Sequence, residues 1–160
     1  MSSAARYYRG ELTWQGRVLH VLWRNSGEKD EYVFDSERTR LRTWNTREAL
    51  EAETFQLEAE THAYSLDAVK DFVDGKAGLD SESSLNFWNF FNDLEAGSDS
   101  REFSRIDKAS NELYGKLFSM TSAGLLVGLP PAPLTIAEMS ALREVMRVGL
   151  ATFEKALQGV

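Results

Sequence analysis

The chain has no cysteine, which excludes a disulfide framework, a thiolate metal site and a cysteine nucleophile. It has two histidines in 160 residues, too few for a histidine-rich metal centre. Its three prolines all fall in one stretch, "SAGLLVGLPPAPL" (122–134). That is the longest apolar run, and the prolines interrupt it, so no segment reads as a membrane span. The opening "MSSAARYY" lacks the apolar core of a signal peptide. With the missing cysteines, this predicts a reducing, cytoplasmic setting. Gly-x-Ser-x-Gly, the Walker loop and Gly-x-Gly-x-x-Gly are all absent from the sequence, which removes the commonest nucleophile and phosphate-binding signatures.

What is present is ordinary globular composition, 42% hydrophobic and 27% charged. A chain of this length suits one domain, residues 1–160, with a substantial core. The net charge of −7 is unevenly placed. Residues 1–47 carry +3, residues 48–99 carry −11 and residues 100–160 carry +1. An acidic block of that size repels a phosphate backbone and attracts a basic partner. Solvated helix faces that keep a protein soluble would give the same count.

The fold class expected is α+β: a small antiparallel β-meander over 11–44, then a bundle of about five helices over 46–158. "ELTW", "QG" and "RVLHVLWR" read as strand, tight turn and strand, the second rich in bulky and β-branched residues. "NSGEKD" is a turn, "EYVFD" a short strand, and "SER" closes a further hairpin onto "TRLRTW". Asn45 and Glu48 have capping-box spacing, which predicts a helix over 46–59 with Leu50, Phe55 and Leu57 inward and a break at "THAY". Ser65 caps the next helix, where Asp67 sits in the first turn and Leu66, Val69, Phe72 and Val73 form the apolar stripe. "DGKAG" ends it, with Gly75 or Gly78 in the left-handed conformation.

A third helix over 81–95, capped by Asp80, carries "LNFWNFFNDL". Spacing at 100° per residue puts Phe87, Phe90, Phe91 and Leu94 on one face. Asn86, Asn89 and Asp93 fall in a narrow polar seam that is expected to be buried and to lock the helix to adjoining loops. A fourth helix is expected over 100–119. The proline-rich connector is expected to lay its apolar residues across the core without forming a helix. Thr135 and Glu138 form a second capping box, opening a last helix over 136–157 with Ile136, Met139, Leu142, Met146, Leu150, Phe153 and Leu157 inward.

Candidates for chemistry are few. His20 lies mid-strand and reads as a hydrogen-bonded structural histidine. Glu58 and His62 have i, i+4 spacing if the helix reaches that far, but no second histidine completes a zinc site. Arg40, Arg42 and Trp44 suggest a strand-borne nucleic-acid surface, which the −11 block opposes. No convergent ligand set predicts a metal or cofactor. A pocket lined by Trp88, Asn89, Asp93 and His62 would suit a small enzyme or a ligand-binding protein.

The segment "NTREALEAE", "HAYSLDAVKDFVDG" and "LDSESSLNFWNFFNDL" resembles bacterial immunity proteins of contact-dependent growth inhibition and related polymorphic toxin systems. The residues that carry the resemblance are Tyr64, Leu66 and Asp67 at the opening of one helix. In the next they are Leu85, Asn86, Trp88, Asn89 and Asp93. The resemblance covers roughly residues 40–95. It implies a cytoplasmic protein without catalysis of its own, binding a cognate toxin domain, with no nucleic acid or membrane as partner. Many such toxins are basic nucleases, which an acidic block complements. On that reading the contact residues are the acidic Glu51, Glu58, Asp67, Asp71 and Asp74.

Overall fold

Two strands joined by a two-residue turn frame the computed structural model, which describes residues 4–128 and 133–159. Strand β1 (Arg6–Trp14) pairs antiparallel with β2 (Arg17–Asn25), Tyr8 opposite Trp23 and Leu12 opposite Leu19. The turn residues Gln15 and Gly16 both have positive φ, 53° and 73°, the backbone sign a type I′ hairpin requires. β3 (Asp30–Tyr32) continues the antiparallel meander on β2. A predicted further hairpin survives as a single antiparallel bridge between Phe34 and Leu41.

The sheet has a fourth strand where the sequence predicted the end of a helix followed by a break. The helix expected over 46–59 is a short α1 (Arg47–Glu51), and β4 (Leu57–Ser65) follows it. β4 lies parallel to β1, giving the order β3-β2-β1-β4 in a mixed sheet. "THAY" is therefore part of the strand. Its Glu and Ala residues favour a helix locally, and pairing with β1 overrides that preference. The cap of α1 is Thr46, whose side chain accepts from the Ala49 amide, one position beyond the predicted Asn45.

Helix α2 (Leu66–Val73) follows β4 directly, capped by Ser65 as its sequence indicates. Gly75 takes the left-handed conformation with φ 75°. Helix α3 (Ser81–Ala96), capped by Asp80, is the central helix and packs on β3 and on the last helix. Its Phe90 ring lies 5.0 Å from both Tyr32 and Tyr64. Phe91 meets Phe103 at 5.6 Å. Each fully buried side chain of this size contributes about 1.5–3 kcal/mol of transfer free energy.

The helix expected over 100–119 is two helices, α4 (Glu102–Ala109) and α5 (Asn111–Ser119). The chain turns at Ser110, within "ASN", where Ser and Asn side chains compete with helical hydrogen bonds. Helix α6 (Ser122–Leu126) occupies the start of the connector that was expected to lack a helix. Its Leu125 and Leu126, with Val127, are exposed and do not cross the core. Pro130 and Pro131, on which the connector reading relied, lie outside the described residues. Helix α7 (Ile136–Gln158) starts at the predicted Thr135–Glu138 capping box. Its inward stripe is Leu142, Val145, Met146, Leu150, Phe153 and Ala156, whereas Ile136 is 92% exposed.

Two glycines are required by close approach. A Cβ on Gly149 would lie 2.2 Å from the Phe91 ring, so its absence lets α7 seat against α3. A Cβ on Gly97 would lie 2.0 Å from the Tyr32 carbonyl oxygen, where the end of α3 meets β3. Helices α2, α3 and α7 thus cover one face of the sheet. α1 packs on β2 from the other side, where Leu22 and Leu50 are fully buried.

Candidate functional site

The acidic block divides into carboxylates that hold the fold and carboxylates that face solvent without a partner. Glu95 is the most deeply tied. It is 3% exposed and accepts the Phe103 and Ser104 amides at 2.6 and 2.8 Å, together with the Ser104 hydroxyl. It thereby caps α4, whose own N-cap residue makes no side-chain cap. Asp67 accepts the Gln15 and Gly16 amides at 2.7 and 3.0 Å, so it fastens the β1–β2 turn to the start of α2.

Glu51 receives Arg47 at 2.9 Å and Arg9 at 3.1 Å. The Arg47 hydrogen bond, then the two positive charges, holds its carboxyl below the usual range. Asp74 pairs with Lys70 across one helical turn at 2.9 Å, and that contact lowers its pKa.

Two of the five predicted contact carboxylates remain. Glu58 on β4 and Asp71 on α2 are exposed and make no ion pair or side-chain hydrogen bond among the described residues. Glu60, two residues along β4, is in the same condition. Sequence reading passed over Glu60 because a helix over 46–59 ends before it. Period-two alternation of Glu58, Glu60, His62 and Tyr64 against small residues was the available signal.

The polar seam of α3 is not buried as expected. Asn86 and Asn89 are exposed, and Asn89 accepts the Tyr114 hydroxyl at 3.0 Å. The seam runs from exposed positions at Asn86 and Asn89 to the sheet at Asp93. Asp93 alone is half-buried, and it accepts the Trp23 indole N–H at 3.1 Å. Burial is the main cause that raises its pKa to about 7, partly offset by the Trp23 hydrogen bond and assisted by the nearby charge of Asp30.

The four residues proposed to line one pocket separate into two places. Trp88 is fully buried and donates to Asp107 at 2.7 Å, with Tyr114 edge-on at 5.4 Å. Asn89 shares Tyr114 with it. His62 lies on β4, where its ring stacks on Trp23 at 5.0 Å and meets Tyr8 edge-on at 5.3 Å. His62 and Asp93 therefore both attach to Trp23, and the His62 Nε2 atom is buried with no hydrogen-bond partner. As a strand residue, His62 does not share a helical turn with Glu58.

His20 bonds through its backbone, exchanging both hydrogen bonds with Trp44 at 3.0 and 2.8 Å, while its ring Nδ1 has no partner. Arg42 is also engaged, lying 4.9 Å over Trp44 and 3.7 Å from Glu53. A cleft of about 380 Å³ lies between the 34–39 loop, the start of α4 and α7. Its two cations are occupied. Lys155 pairs with Glu102 at 2.8 Å, and Arg101 donates to the Ser98 and Ser100 carbonyls. Among the described residues, no group of three or more His, Asp or Glu could hold a metal ion, and no helix is long and apolar enough to cross a membrane.

No protein-family model matches the chain, and no curated protein matches it. Among solved structures it is similar to the SatS C-terminal domain, determined in complex with bromine. That likeness has a TM-score of 0.57 and 13% identity over 93% of this chain and 91% of the other, so it is a likeness of fold.

Proposed function

We propose that the protein is a non-enzymatic immunity protein. It binds a cognate toxin domain in the cytoplasm and neutralises it, the toxin being basic and of the nuclease kind. The observation that carries this reading is a group of exposed carboxylates without an ion pair or side-chain hydrogen bond among the described residues, Glu58, Glu60 and Asp71 among them, in a segment of charge −11. A carboxylate left in water without a cation gains most when a Lys or Arg is brought to it, and it steers such a partner from a distance. The resemblance over residues 40–95 names the class of partner. Glu51, Asp67 and Asp74 contribute to the field, but their hydrogen bonds are already spent on Arg9, Arg47, the hairpin turn and Lys70. The test is co-expression with the toxin domain that this reading expects to be encoded beside the gene, followed by co-purification. A stable complex and restored growth are expected, and a toxin that stays free and active would contradict the reading.

A second reading rests on the Trp23 corner. A half-buried carboxyl with a pKa of about 7 and a histidine with an unpartnered buried nitrogen share one indole. Such a pair suits a small ligand-binding or acid–base site. Asp93→Asn separates the two readings, because it removes that titration and leaves Glu58, Glu60 and Asp71 untouched.

A further inference from the structure

β4 is the edge of the sheet. It pairs with β1 on one side, its Tyr64 packs on Phe87 and Phe90 of α3, and no strand pairs with its other side among the described residues. Glu58, Ala59, Glu60, Thr61, Ala63 and Ser65 are exposed along it. The strand has two parts. Between Leu57, opposite Tyr7, and Thr61, opposite Arg9, the register shifts and the chain bulges. Arg9 fixes that bulge, donating to the Ala59 carbonyl at 2.9 Å, the Thr61 hydroxyl at 3.3 Å and Glu51 at 3.1 Å. Thr61–Ser65 then pairs with β1 residue for residue. Its outer N–H and C=O groups have no strand to meet among the described residues.

We propose that Thr61–Tyr64 is a docking edge that takes an extended, Lys- or Arg-bearing segment of a partner protein as an added strand. The inference rests on the reading of a basic protein partner and specifies how it is held. Backbone pairing would supply the ladder, and Glu58 and Glu60 would pair with cations flanking the added strand. The same two glutamates argue against a second copy of this chain. Charge and a bulge on an edge strand are the usual devices that stop sheets from joining edge to edge. They disfavour an acidic copy and favour a basic segment. α2 starts at Leu66, so the added strand would run beside Thr61–Tyr64 and continue past the bulge toward Glu58.

The experiment is amide hydrogen exchange on the full chain, alone and with two synthetic peptides of about nine residues. One alternates Lys and Val, and the other has the same charge with a central proline that prevents strand pairing. The first peptide is expected to slow exchange of the outward amides of Thr61–Tyr64 about tenfold, and the second to leave them unchanged. Equal protection by both peptides, or by neither, would overturn the proposed edge. Slowing that grows with protein concentration when no peptide is present would overturn it in favour of a second copy. With the neighbouring toxin domain, the same β4 amides should slow. A tight complex with β4 exchanging at its free rate would overturn the edge and leave the immunity reading standing. Protection by the first peptide only, with no binding of the toxin, would support the edge and remove the immunity reading. Glu58→Lys with Glu60→Lys should weaken binding of the first peptide about tenfold with an unchanged melting temperature, and unchanged binding would remove the role of the glutamates.

Discussion

Helix α3 and strand β4 both belong to the acidic segment, and they use their residues in opposite ways. α3 buries Phe87, Trp88, Phe90, Phe91 and Leu94, and even its Glu95 is turned inward to cap α4. β4 leaves most of its length in water, with Leu57, His62 and Tyr64 half-buried and Tyr64 packed on the core. The same net charge thus serves two ends. Carboxylates on buried ground satisfy amides of neighbouring elements, and carboxylates on the exposed edge have no group to satisfy among the described residues. Substitutions should divide accordingly, with stability lost in α3 and binding lost at β4.

The widest separation is expected from truncating the centre of α3. Phe90→Ala should cost about 3–5 kcal/mol, because the ring packs between Tyr32 and Tyr64 and the gap cannot collapse against a sheet. Chemical denaturation would measure it. A loss below about 1 kcal/mol would mean that α3 is not the packing centre.

Glu95→Ala should follow, at about 1–3 kcal/mol, since it leaves the Phe103 and Ser104 amides without their acceptor. The loss should appear first as faster amide exchange at the start of α4.

Asp93 gives a pH-dependent version of the same contrast. Its folded pKa is raised from 3.8 to about 7, so the folded state holds a proton there that the unfolded state has released. Its stabilising effect is complete below pH 3.8 and is lost as pH rises to about 7. Asp93→Asn keeps an acceptor for Trp23 and removes the titration. Relative to the parent it should gain about 1–2 kcal/mol between pH 4 and pH 8, a value reduced for the solvent that reaches this half-buried carboxyl. Denaturation midpoints of the two proteins across that range would check it, and parallel curves would contradict the assignment.

The smallest stability change belongs to β4. Glu58→Lys with Glu60→Lys should move stability by no more than about 0.5 kcal/mol, as expected of exposed side chains without partners.

How far these elements could be read from the sequence follows the range of the interactions that form them. The hairpin at Gln15–Gly16, the caps at Ser65, Asp80 and Thr135 and the aromatic face of α3 depend on residues a few positions apart, and all were legible. β4 was not. "LEAETHAY" has helix-forming Ala and Glu, and its strand state depends on Tyr7–Thr13, about fifty residues earlier. The buried seam failed for a related reason. Spacing grouped Asn86, Asn89 and Asp93, but only the packing of α3 decides that Asp93 meets Trp23 while the two amides face water. Of the contact carboxylates, sequence placed all five in the acidic block. It could not show that Asp67 is occupied by the hairpin turn or that Glu51 is held by Arg9 and Arg47.

The most direct test of the account is the association rate between this protein and the toxin domain that the proposal expects to be encoded beside its gene, measured at about 0.05 M and about 0.5 M salt. The screening length falls several-fold over that range. Steering by unpartnered carboxylates predicts a rate at least about tenfold slower at high salt, and a parallel loss at low salt when Glu58, Glu60 and Asp71 are changed to Lys in a protein that keeps its fold. A rate indifferent to salt and to those three residues, or no association at all, would contradict it.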